Sequence, residues 1–135
     1  MSKKIQEVEG IGQKYAEILK QSGIDTTDKL LKTGCDKNGR KALAEKTSIS
    51  EASILKWVNM CDLFRIKGVA GQYAELLECA GVDTVKELRT RNAENLVEKM
   101  AEINNVKRLC KVKPGLKAVA GWIEQAKQLA PMVTY

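Results

Sequence analysis

Gly10-Ile11-Gly12-Gln13-Lys14-Tyr15-Ala16-Glu17-Ile18-Leu19 returns 58 residues later as Gly68-Val69-Ala70-Gly71-Gln72-Tyr73-Ala74-Glu75-Leu76-Leu77. Both runs continue alike, one through Gly23-Ile24-Asp25-Thr26 to Leu30, the other through Gly81-Val82-Asp83-Thr84 to Leu88. Of the 22 positions from Gly10 to Leu31, nine are identical in the second copy, and several others exchange one aliphatic residue for another. A duplicated supersecondary unit accounts for such a match, and its shared positions mark what the fold requires. Each copy reads as a glycine hairpin opening into a helix. Residues 13–22 place Tyr15, Ala16, Ile18 and Leu19 at helical spacing, with Gly23 as the stop.

Working outward, Thr26 starts a short helix through Leu31. In the second copy Thr84-Val85-Lys86-Glu87 reads as a capping box, with Glu87 placed to reach back to the Thr84 amide. Each unit then continues with two further helices. In the first these are residues 39–46 and, after a Thr47-Ser48-Ile49-Ser50 turn, a longer helix holding Ile54, Leu55, Trp57 and Val58. Ser48-Ile49-Ser50-Glu51 fits another capping box. In the second unit residues 93–104 precede a longer connection, and Pro114 reads as the first residue of a helix to about Leu129. Trp57 and Trp122 correspond if the second unit carries a seven-residue insertion before its last helix. The expected fold is all-α: two units, 1–64 and 65–135, of about five short helices each. Asp62-Leu63-Phe64-Arg65 joins them without a Gly/Pro/Ser linker, so a rigid packed pair is expected.

The composition agrees with this and removes several function classes. A chain of 135 residues suits one compact domain or two very small ones, and its few aromatics and abundant aliphatics, Ala, Lys and Glu favour helix. Net charge is +6, with 11 basic and 9 acidic residues up to Phe64 and 12 and 8 after it, so the excess sits mostly in the second half. The four cysteines, Cys35, Cys61, Cys79 and Cys110, form no CxxC pair, and there is no histidine. That pattern argues against zinc and against a disulfide framework, and it suits free thiols in a reducing cytosol. Met-Ser-Lys-Lys begins no apolar leader, and no apolar run approaches membrane-spanning length, so a cytoplasmic protein without a membrane partner is expected. No catalytic constellation, cofactor motif or small-molecule site is evident, and an enzyme is not expected.

Two features can carry binding. In the hairpin, glycine admits positive φ and a close backbone approach, and the helix beyond it begins with amides that lack intrahelical partners at the positive end of its dipole. Such amides converge where a phosphate can sit. The candidate residues are Gly10, Ile11, Gly12, Gln13 and Lys14 in the first copy and Gly68, Val69, Ala70, Gly71 and Gln72 in the second. The copies differ where a ligand would touch: Ala70 and Gln72 replace Gly12 and Lys14, Glu7 and Glu9 adjoin the first hairpin, and Arg65 and Lys67 flank the second. The other feature is the insertion. Between Glu102 and Glu124 there is no acidic residue, but there are Lys107, Arg108, Lys111, Lys113 and Lys117, a strip suited to nucleic-acid contact or simply to a solvated loop. Leu109, Cys110 and Val112 alternate with these cations, which suggests a docked segment. Tyr15 with Tyr73, and Trp57 with Trp122, read as core packing rather than base-stacking platforms.

The residues from Glu9 to Leu19 with Gly23-Ile24-Asp25-Thr26 resemble the helix-hairpin-helix superfamily, in particular tandem hairpin domains of DNA-repair proteins, recombinase N-terminal domains and the acidic repeats of NusA. The whole chain also resembles an uncharacterised bacterial family, a domain of unknown function built of such repeats. The resemblance implies an all-helical fold and, in many members, contacts from hairpin amides to the DNA backbone. It also implies, in some members, a monovalent cation on hairpin carbonyls, and in others a hairpin that only packs helices within a protein-binding scaffold. Some hairpin-containing repair enzymes use a lysine nucleophile, but nothing singles out one lysine here. DNA or another nucleic acid, bound without sequence preference, is the expected partner, with a protein partner as the alternative.

Overall fold

The computed structural model describes Lys3–Tyr135 and is all-α, with eight α-helices and no strand among those residues. It divides into two compact units, Met1–Asp62 with Met132–Tyr135, and Leu63–Pro131. The division falls two residues before the expected joint after Phe64, and the last four residues belong with the first unit. Thr134 explains this: its amide donates to the Cys35 carbonyl (2.8 Å) and its carbonyl accepts from Arg40 Nη2 (2.7 Å).

The first unit contains α1 (Gln13–Gln21), α2 (Thr27–Gly34), α3 (Lys37–Thr47) and α4 (Glu51–Leu63). The second contains α5 (Gly71–Cys79), α6 (Val85–Leu88), α7 (Ala93–Lys107) and α8 (Leu116–Gln128). Ahead of its four α-helices the first unit opens with a single 3-10 turn, Ile5–Glu7, and each unit begins with a run of tight turns. Val8 N donates to Ile5 O and Ile11 N to Val8 O, and at the aligned positions Ile66 N donates to Leu63 O and Val69 N to Ile66 O. All six side chains are buried, so an apolar residue every third position turns one edge of this three-residue spiral inward. Burying each aliphatic side chain contributes about 1.5–3 kcal/mol.

Both α1 and α5 stop on the glycine that the sequence marks. Gly23 and Gly81 have φ of +84° and +91°. Ile24 N reaches back to Leu19 O and Val82 N to Leu77 O, each at 2.9 Å, which satisfies the last carbonyls in a Schellman arrangement. Thr26 and Thr84 then cap α2 and α6, accepting from the amides of Lys29 and Glu87.

Several boundaries differ from expectation for local reasons. Only half of the box on Thr84 forms, because the Glu87 carboxylate pairs with Arg91 (2.7 Å) instead of the Thr84 amide. The cap of α4 is Ser50, whose Oγ accepts from Ser53 N, while Ser48 turns left-handed (φ +62°) to end α3. Pro114 lies one residue before the Gly115 N-cap of α8 rather than at its first turn. In the first unit Ile5 N also donates to Asp25 O, beside an antiparallel bridge between Lys4 and Thr26. In the second, α7 packs on α5 and α8, and α6 on α8.

Candidate nucleic-acid interface

Each glycine turn rests on a tryptophan of its own unit. Gly10 and Gly68 have φ of +93° and +95°, and a Cβ built there would lie 3.3 Å from Trp57 Nε1 and 3.0 Å from Trp122 Nε1. Both indoles are 4% exposed, and each packs against the tyrosine of its own hairpin helix: Tyr15 with Trp57 at 5.2 Å between centroids, Tyr73 with Trp122 at 5.4 Å. The tryptophans are therefore core, and they serve as the platform that fixes the turn. A tilted pair of this kind adds about 0.5–1.5 kcal/mol beyond its buried area.

The candidate hairpin residues divide into two groups. Ile11 and Val69 are buried, and their amides are already bonded to Val8 O and Ile66 O, so neither offers an amide to a phosphate. Gly10, Gly12, Gln13, Lys14, Gly68, Ala70 and Gln72 are exposed, and Gly71 is half-buried. Gly12 (φ +34°) and Ala70 (φ −96°) are the N-caps of α1 and α5, and neither has a side-chain acceptor for the first-turn amides. In α2, α3, α6 and α7, by contrast, Thr26, Asp36, Thr84 and Asn92 cap those amides with their own side chains. The starts of α1 and α5 are left to water or to an anion. Beside the first, Glu7 Oε2 accepts from Lys4 N (3.0 Å), and Glu9 is exposed.

The basic segment is ordered by three devices. Arg108, left-handed at φ +51°, closes α7 by donating its amide to Asn104 O. The Asn104 side chain then clamps Cys110 twice, donating to its carbonyl (3.0 Å) and accepting from its amide (2.9 Å). Finally, Tyr73 Oη donates to Val112 O at 3.0 Å, which pins the segment to the first turn of α5. Cys110 and Pro114 are buried, whereas Lys107, Arg108, Lys111, Lys113 and Lys117 are all exposed. Burial, with the Glu75 carboxylate as a lesser cause, raises the Cys110 thiol above its ordinary pKa. Lys107 Nζ lies 3.7 Å from Cys79 Sγ.

Two participants escaped the sequence reading. Tyr73 holds the segment through its hydroxyl, although its repeat and spacing suggest core packing alone. Gly115 is the N-cap of α8, again with no side-chain acceptor, and Leu116 and Lys117 open that helix. The second unit therefore carries two uncapped helix starts: that of α8 lies within the basic segment, and α5 is tied to the segment by the Tyr73–Val112 bond.

All four cysteines are free thiols, and no group of His, Cys, Asp and Glu among the described residues could hold a metal ion. No described helix is long and apolar enough to cross a membrane. Neither the curated proteins nor the solved structures give a significant match to the chain. One family does match, over residues 9–129, and on that extent the chain belongs to the domain of unknown function DUF4332.

Proposed function

We propose that this protein binds the backbone of nucleic acid, DNA foremost, without sequence preference and without catalysis, as a tandem helix-hairpin-helix module of the cytoplasm. The observation that carries this reading is the 107–117 segment: five exposed cations, held by Asn104 and Tyr73, with the uncapped start of α8 inside it and α5, also uncapped, bonded to it. Amides and helix dipoles fix phosphates in place, the lysines and Arg108 supply the charge, and none of these groups reads a base. The second unit is the principal binding half. The first contributes its open α1 start and Lys14 against the local repulsion of Glu7 and Glu9.

A labelled duplex titrated at several salt concentrations tests this. Log affinity should fall linearly with log salt, with a slope of about −0.9 per phosphate neutralised. Lys111→Glu with Lys113→Glu should weaken binding by at least about tenfold and flatten the slope, whereas Lys14→Glu should weaken it only a few-fold. Absence of binding at low salt would sink the reading.

A protein partner is the second reading, favoured by Val106, Val112 and Leu116, which stand 83%, 72% and 48% exposed among these cations. Val112→Ser would weaken such a partner and leave duplex binding intact.

A further inference from the structure

We propose that the groove beside Gly23 in the first unit is a docking site for an acidic segment of a partner protein carrying an aliphatic side chain. The argument comes from the duplication. In the second unit the space over the helix-stopping glycine is filled from within: Arg91 Nη2 donates to Gly81 O (2.8 Å) and to Glu87 Oε1 (2.7 Å). A Cβ built on Gly81 would lie 3.5 Å from that nitrogen. At the aligned positions the first unit has Thr33 for Arg91 and Lys29 for Glu87. The plug is gone, and the charge that held it is reversed.

The vacated space is real. Nothing lies within 4 Å of a Cβ built on Gly23, and a cavity of about 450 Å³ opens there. Ala42 is its exposed aliphatic residue, over the buried Ile24 and Leu43; Lys29, Lys32 and Lys46 supply its cations, and none of its lining residues is acidic. Lys29 is shared with Asp25 at 2.9 Å, but both side chains are more than half exposed, so an incoming carboxylate exchanges with that pair at little cost. Lysine stems add further apolar surface while their heads stay in water. The apolar surface separates a peptide from a phosphate: a nucleic-acid backbone has no branched alkyl side chain to seat on Ala42 and the lysine stems, whereas a leucine between glutamates has both parts. The cavity also falls within the range of about 300–1,000 Å³ typical of ligand sites.

The test uses the full chain and a fluorescein-labelled peptide of leucines flanked by glutamates, followed by anisotropy and by amide shifts in NMR. Binding should shift Gly23, Thr33 and Gly39. The double variant Lys29→Glu/Thr33→Arg rebuilds the plug of the second unit, so it should fold with an unchanged or higher Tm and bind the peptide at least about tenfold more weakly. Lys46→Gln, which builds no plug, should lower peptide affinity several-fold. Duplex DNA binding should change less than twofold in Lys46→Gln. Failure of the wild-type chain to bind the peptide would overturn the proposal. So would equal binding by the plugged variant, shifts lying outside the groove, or loss of duplex rather than peptide binding.

Discussion

The two glycine turns share a platform and differ in their surroundings. Gly10 and Gly68 take the same backbone angle over the same indole nitrogen, and each turn is preceded by the same spiral of buried aliphatics. Past that platform they diverge. The first keeps a second glycine and sits among Glu7 and Glu9, while the second replaces that glycine with Ala70 and acquires a pinned basic segment. Packing therefore fixes the turn, and a glycine at the helix cap is dispensable to it. Charge is what distinguishes the halves, and it is charge that a nucleic acid would feel.

This comparison can be broken most forcefully at the turns. Gly68→Ala should cost about 2–3 kcal/mol in chemical denaturation, and Gly10→Ala about 1–2, because both force positive φ on a side chain and Trp122 stands closer than Trp57. Equal losses would mean that the indole does not separate the two sites. Next in size is Asn104→Ala, which orphans both polar groups of buried Cys110. We expect a loss of about 1–2 kcal/mol and faster hydrogen exchange confined to the segment near 110, with nothing comparable in the first unit. The smallest effect belongs to Gly12→Ala. Ala70 already serves as the same cap at φ −96°, so the first unit should adopt that backbone for less than about 1 kcal/mol. A larger loss would show that Gly12 is needed where Ala70 suffices.

Most of the helix register was legible because the helices are amphipathic and their ends carry strong signals: Gly23 and Gly81, Thr26 and Thr84. The turn spirals were overlooked although Ile5-Val8-Ile11 and Leu63-Ile66-Val69 are visible as apolar residues every third position. Their period is that of a 3-10 turn, shorter than the 3.6 of an α-helix and longer than the two of a strand. Other misses reflect competition that local sequence does not show. Glu87 had both the Thr84 amide and Arg91 within reach, and the guanidinium won. Ile11 and Val69 looked like part of a grip because the motif includes them, yet the spiral claims both their amides and their side chains. The Tyr73 hydroxyl finds Val112 across 39 residues, and Arg40 finds Thr134 across 94; neither pairing leaves a periodic trace.

Arg40 also bears on what the segment Met132–Tyr135 does for the first unit. The residue is 4% exposed, and its guanidinium donates to two carbonyls of the first unit, Gly34 O six residues away and Thr134 O 94 residues away. Removing Met132–Tyr135 would leave this cation with the Gly34 acceptor alone. The guanidinium would then recruit water in place of Thr134 O, which loosens the packing around it. The segment is thus a strap that completes the first unit from far along the chain, and cutting it should lower the stability of that unit while sparing the second.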